Sequence, residues 1–190
     1  MPPAQAGRPR TVRPAVPSAP TPAAPLLELP TPALLLDLDA FEFNLAAAMR
    51  VAQMHGLRVR PHAKAHKCVE IARRQVAAGA VGICVQKVSE AEPFAAAGIA
   101  DILITNEVVG HGKPQRLARL AAAHPGVRIG VCVDAPGNVD DLAQACQAAG
   151  ATIDVYVELD VGQGRCGVPD AAAAARLAQA VAAQPALRLR

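Results

Sequence analysis

Within RPHAKAHKC, residues 60–68, lie Arg60, His62, Lys64, His66 and Lys67, a concentration of basic groups in a chain otherwise rich in Ala, Val and Leu. LRVRPHAK (57–64) has the alternation of a strand, in which every second side chain shares a face. Arg58, Arg60, His62 and Lys64 then fall on one side, and Leu57, Val59, Pro61 and Ala63 on the other. The apolar side suits packing on helices, which turns the basic side toward an interior crevice. Burying several cations without carboxylates is severely unfavourable, so an anionic ligand is the expected counter-charge.

A lysine among cations has a chemical use. Neighbouring positive charge disfavours the ammonium and leaves a neutral amine able to attack a carbonyl. Pyridoxal phosphate, an anionic aldehyde held as a Schiff base, meets both requirements, although strand-end lysines also serve as plain phosphate contacts. His62 and His66 have the H-x3-H spacing of a helical metal pair. No third ligand accompanies them and the strand should break between them, so no metal ligand is assigned. Arg58, Arg73 and Arg74 are read as a solvated face. In VGQGRCG, Gly162, Gly164 and Gly167 satisfy G-x-G-x-x-G directly after a strand. A dinucleotide fold would want that motif at its first βα turn with an acidic residue about 20 positions on. Here it follows a late strand and no Asp or Glu occurs after Asp170. It is read instead as a Gly-rich turn that brings the backbone close to a ligand and aims Arg165 into the mouth of the fold.

The elements that must position these groups alternate. AFEFNLAAAMRVAQMHG (40–56) has helical spacing closed by Gly56, and LRVRPHAK follows as a strand. CVEIARRQVAAGA is a helix, VGICVQK a strand, and SEAEPFAAAG a helix opened by a capping box of Ser89 and Glu92. DILITN, VRIGVCVD, TIDVYVELD and a terminal LRLR are strands; KPQRLARLAAAH, NVDDLAQACQAAG (N-capped by Asn138) and DAAAAARLAQAVAAQ are the helices between them. Short β-rich runs separated by helices predict an α/β fold with a parallel sheet. Five strands followed by helices, and a sixth begun at the C-terminus, fit an open doubly wound sheet or an incomplete (β/α)8 barrel of eight strands. Polar residues at nearly every strand end, among them Lys64, Gln86, Asn106, Asp134 and Asp160, favour the barrel, whose catalytic groups converge on one mouth.

Composition narrows the function. A length of 190 residues with 52% hydrophobic and 18% charged residues suits one globular domain or slightly more. A net charge of +3 and only four aromatics, Phe41, Phe43, Phe94 and Tyr156, argue against nucleic acid. No apolar run reaches the ~18 residues of a membrane span. The five cysteines are widely spaced without a C-x-x-C, and no signal-like apolar segment is seen near the start, which points to reduced thiols in the cytoplasm. Residues 1–28, dominated by Pro and Ala, are expected to be a disordered tail, leaving 29–190 as the folded part.

RPHAKAHKC, GICVQKVSEAEPFAAAGIADILITNEVVG and VYVELDVGQGRCGV closely resemble the D-threonine aldolase and D-serine dehydratase family, alanine-racemase-like enzymes of pyridoxal phosphate. The resemblance spans about residues 29–190 and implies a (β/α)8 TIM-type barrel of the alanine racemase N-terminal type, here with about five to six of eight strands. It implies that Lys64 forms the Schiff base and that Arg165 lies by the cofactor's phenolic oxygen and the substrate. His62, Gln86 and Asn106, at matching strand ends, are the remaining pocket candidates. ALLLDLDAF resembles the family's crossover toward its C-terminal β domain.

The implied reaction is retro-aldol cleavage of a D-β-hydroxy-α-amino acid to glycine and an aldehyde. Dehydration of D-serine or D-3-hydroxyaspartate, a non-catalytic pyridoxal phosphate carrier and a nicotinamide oxidoreductase are the alternatives. A divalent metal of the manganese or zinc type is implied at the substrate hydroxyl, held by a His with an Asp or Cys of a C-terminal domain to which nothing here matches. A homodimer is the expected assembly of the full-length protein. The chain alone is expected to be a fragment or truncated product, unstable or aggregated through unpaired strand edges.

Overall fold

A computed structural model describes residues 25–190, and the chain divides into two units after Leu38. The tail expected over 1–28 lies mostly outside the described residues. In the first unit a single 3-10 turn, Leu26–Glu28, precedes an extended stretch whose Leu34, Leu35 and Leu36 are exposed.

The second unit alternates helix and strand: α1 Leu38–Met54, whose first residue belongs to the preceding unit, α2 Val69–Ala77, β1 Ile83–Val85, α3 Val88–Ala96, β2 Asp101–Glu107, α4 Lys113–Ala123, β3 Arg128–Val133, α5 Pro136–Ala149, β4 Ile153–Val157, α6 Ala171–Ala182 and β5 Leu187–Leu189. All pairings are parallel and the strand order is β1-β2-β3-β4-β5. A doubly wound sheet reverses its strand order midway and carries helices on both faces. Here the order follows the chain without reversal, and α3, α4, α5 and α6 pack side by side in sequence. The architecture is therefore a sector of a (β/α) barrel, and the doubly wound alternative is set aside.

Burial on both faces of a parallel sheet demands near-continuous β-branched strands. Ile83, Val85, Ile102, Ile104, Ile129, Val131, Val133, Ile153 and Val155 meet that demand and are all fully buried. The helices turn Ala72, Phe94, Leu117, Leu142, Cys146, Leu177 and Val181 against them, and their alanines permit close approach. Asp170 caps α6 through Oδ1, which accepts the Ala173 N–H at 2.7 Å. Pro136 occupies the first turn of α5, where a missing N–H costs nothing, and Gly150 closes it in the left-handed region.

Three local expectations are corrected. Residues 57–64 run beside β1, but only His62 forms a bridge, to Cys84. Pro61 has no N–H, so the ladder reduces to Ala63 N to Cys84 O and Cys84 N to Pro61 O, both 2.7 Å, with Val81 N to Val59 O at 3.0 Å. The α3 capping box does not form: the helix begins at Val88, Glu92 pairs with Arg116, and Glu90 instead accepts the Gln86 N–H at 2.9 Å. Asn138 is not the α5 cap, because Pro136 starts the helix earlier; it is buried and its Nδ2 donates to Val108 O at 3.0 Å.

The fate of the basic face is the larger correction. Arg60 does not await a ligand. It pairs with Asp101, 8% exposed at the start of β2, and Asp101 also takes the Arg128 guanidinium from the start of β3. Gly82 makes the approach feasible, since a Cβ there would lie 2.7 Å from both Arg60 Nη1 and Asp101 Cβ. A second carboxylate, Asp154, is 1% exposed and accepts from Arg188 Nε at 2.8 Å and Arg190 Nε at 2.9 Å. The strand N-terminal ends thus form a charged floor in which two aspartates neutralise arginines from neighbouring strands.

Candidate active site at the strand C-terminal ends

Opposite that floor, the chain leaves its extended course at Ala63 and turns. Lys67 N closes the turn on Ala63 O at 2.8 Å, with Lys67 itself at φ 49°. Lys64 therefore stands on an exposed turn just past the strand end rather than in the strand. The turn is held from below by His62, whose Nδ1 accepts the Lys64 N–H at 3.2 Å. An Nδ1 that accepts must be unprotonated, so the neutral ring carries its proton on Nε2. That Nε2–H donates to Thr105 Oγ1 at 3.0 Å, and the Thr105 hydroxyl passes a bond to Val85 O at 3.4 Å. Burial and then the Lys64 charge push the His62 imidazolium down, which agrees with a neutral ring using both nitrogens. His66 repeats the device: its Nδ1 accepts the Cys68 N–H at 3.0 Å, and burial lowers its pKa too. The His66 Nε2 is buried without a hydrogen-bond partner, while the His62 Nε2 is engaged by Thr105.

Gln86 lies beside the His62 ring, and with Asn106 it lines a crevice of about 150 Å³ that also includes Lys87, Ser89 and Lys113. Lys67 is drawn away to Glu90, its Nζ 3.4 Å from Oε1. Among the described residues, the Lys64 amine enters no ion pair.

A second group stands further round the mouth. Glu107 ends β2, Asp134 follows β3, Glu158 follows β4, and Cys166 comes from the Gly-rich loop; ligand atoms of Glu107, Asp134 and Cys166 lie within 4.8 Å of one another. Sequence reasoning missed this cluster, although three of its members stand at strand ends. Burial and then the neighbouring Glu107 carboxylate raise the Glu158 pKa, while Arg165 opposes the rise. A hydrogen bond to Glu107 raises the Cys166 thiol as well. Cys132 lies half-buried near the two glutamates, its thiol pushed up to about 12 by burial first and their charge second.

The Gly-rich motif itself is closed. Gly162 N and Gly164 N both donate to Asp160, so the amides that a phosphate would need are already taken. No helix follows until Ala171. The motif serves as the support of Arg165, an exposed side chain whose charge acts on Glu158 and Cys166.

The expected residues thus gather at one end of the sheet, in two neighbouring groups: Lys64, His62, Gln86 and Asn106 in one, Arg165 in the other. Adjacent residues of β2, Asn106 and Glu107, connect them.

The sequence profile described as alanine racemase, N-terminal domain, matches residues 36–190. A D-threonine aldolase of Arthrobacter sp is 56% identical over 165 residues, covering 87% of this chain and 43% of that protein. A 3-hydroxy-D-aspartate aldolase of Paracoccus denitrificans is 47% identical over 159 residues, covering 83% of this chain and 41% of the relative. The crystal structure of D-threonine aldolase from Filomicrobium marinum superposes with a TM-score of 0.81 at 54% identity, over 86% of this chain and 44% of that one. The chain spans less than half the length of each of these relatives.

Proposed function

The chain belongs to the alanine racemase N-terminal domain family, and from that premise we propose that it carries the cofactor-binding barrel of a pyridoxal phosphate-dependent lyase, a D-threonine aldolase acting on small D-β-hydroxy-α-amino acids. The observation that carries this is Lys64: an amine without an ionic partner among the described residues, on a turn at a strand end, with a neutral imidazole beneath it. That donor set fits the cofactor. Lys64 would hold it through its amine and Arg165 would face its polar ring substituents. Bound there, the cofactor supplies a sink for the electrons released as the substrate's Cα–Cβ bond breaks.

The chain's own groups do the positioning. His62 keeps the Lys64 backbone in place through its Nδ1 and is itself fixed by Thr105, so it orients rather than transfers a proton. Gln86 and Asn106 offer amides to the substrate from the lip of the crevice. The guanidinium of Arg165 supplies positive charge where a substrate carboxylate or a developing oxyanion needs it.

A divalent metal at the substrate hydroxyl belongs to this proposal, with its ligands expected in a C-terminal domain. Glu107, Asp134 and Cys166 bring three donor atoms within 4.8 Å of one another, and Asp134 Oδ2 also accepts the Gly167 N–H at 3.1 Å. No step is drawn through that group. The proposal extends to a cytoplasmic protein that pairs as a homodimer at full length.

The test is made on the complete enzyme with pyridoxal phosphate and manganese or zinc. Glycine and acetaldehyde should form from D-threonine and not from L-threonine, and K64A should abolish both product formation and borohydride fixation of the pyridoxyl group. Cofactor fixation without D-threonine cleavage would leave a carrier protein instead.

A further inference from the structure

The loop bearing Arg165 is organised by two carboxylates. It leaves the end of β4 and returns, with Val168 N donating to Glu158 O at 2.8 Å and Asp160 N to Val168 O at 3.0 Å. Leu159 and Val168 are bridged at its neck. Inside, Asp160 Oδ1 accepts the Gly162 N–H at 2.9 Å and the Gly164 N–H at 3.0 Å, and Oδ2 lies 3.1 Å from Gly164 N. On the returning limb, Gly167 N donates to Asp134 Oδ2 at 3.1 Å. Arg165 thus stands between two glycine amides, Gly164 and Gly167, each tied to a carboxylate rooted at a different strand end.

Such ties matter because the loop is otherwise soft. Gly162, Gly164 and Gly167 all have positive φ, and glycine has the most backbone freedom to lose. An untied loop would let the guanidinium wander. The amide bonds also favour ionised Asp160, whose pKa they lower.

We propose that Asp160, seconded by Asp134, is a positioning residue for Arg165: by tying the Gly162 and Gly164 amides it holds the arginine backbone where the guanidinium faces the reacting molecule at Lys64. This rests on the reading of Arg165 given above. Asp160 itself touches neither substrate nor cofactor in this role, and its effect passes through the loop.

The experiment is a double-mutant cycle in the complete holoenzyme, with D160A, R165A and D160A/R165A alongside D160N. D-threonine cleavage and the visible circular dichroism of bound pyridoxal phosphate, a measure of how the cofactor is seated, are the two readouts. D160A should lower kcat/KM by about tenfold, a loss ordinary for a misplaced catalytic group. D160N, whose amide oxygen still accepts both N–H bonds, should recover to within about threefold and restore the dichroic band. In the R165A background D160A should cost less than about twofold, because the group it positions is gone. An equal loss in both backgrounds overturns the inference and leaves the role of Arg165 intact. If R165A loses nothing, the role of Arg165 falls and the inference falls with it. Should D160A prove insoluble, D160S, whose shorter hydroxyl cannot serve both amides, closes the same cycle.

Discussion

Replacing Asp101 with alanine should expose how the barrel floor is held. The carboxylate takes both Nη atoms of Arg60 and one of Arg128. The Arg60 side chain is 19% exposed and that of Arg128 52%. Burial pulls the Arg60 pKa down, but the hydrogen bond and charge of Asp101 more than reverse this. Breaking a fully buried pair by removing one partner costs about 3–5 kcal/mol, whereas a surface pair is worth about 0–1 kcal/mol. Arg60 lies nearer the first case and Arg128 nearer the second. Because Arg60 keeps some water, D101A should destabilise by about 2–3 kcal/mol. D101N, which keeps an acceptor oxygen but not the charge, should cost about half as much. Urea unfolding of the full-length protein, followed by circular dichroism, supplies the measurement, with R60L and R60L/D101A closing a cycle. The double variant should recover at least about 1 kcal/mol relative to D101A, since the more buried Arg60 cation is gone and only the half-exposed Arg128 is left without its partner. A D101A loss below about 1 kcal/mol, or single effects that simply add, would refute the claim that Asp101 is the counter-charge to the basic segment.

Further outcomes follow from the site. Histidine NMR should place the His62 and His66 midpoints below 6.5, the value of an unperturbed ring, with Nε2–H tautomers above them. Since the unfolded rings protonate first, stability should decline as pH falls from 6.5 through the folded midpoints; a midpoint above 6.5 contradicts the neutral ring under Lys64. G167A should fail even where other loop glycines tolerate alanine. Its Cβ would lie 2.5 Å from Asp160 N and 2.7 Å from Leu159 C at a φ of +101°, and a loss of pyridoxal phosphate affinity smaller than about twofold would show that the loop can shift without consequence. K64R, which keeps the charge but not the nucleophilic amine, should lose borohydride fixation completely; a pyridoxyl mass found on another lysine would reassign the site.

Much of the candidate site was legible because it is local. The run of basic residues before Cys68 and the Gly-rich segment after Asp160 carry their own chemistry, and the alternation of β-branched strands with Ala-rich helices places both at the same end of the sheet. What escaped the sequence was long-range pairing. Arg60 reads as an unpaired interior cation until Asp101, 41 residues on, is brought beside it by β2. The cluster of Glu107, Asp134, Glu158 and Cys166 draws on three strand ends and a loop, and no spacing rule connects them. Competition also misled: Ser89 and Glu92 have the spacing of a capping box, but Glu92 finds Arg116 of the next helix, and a charged partner outbids the weaker backbone cap. At 57–64 one proline was enough to reduce a well-patterned strand to a single bridge.

Each strand of the sheet lies beside its immediate predecessor in the chain. A ribosome releasing this polypeptide therefore never has to hold one strand in waiting for a distant mate: every βα unit that emerges finds its neighbour already laid down. Assembly can proceed as a fan opens, blade after blade, with short loop closures favouring speed. The turn bearing Lys64 precedes all five blades, so this amine is already in place when the sheet beside it is built outward.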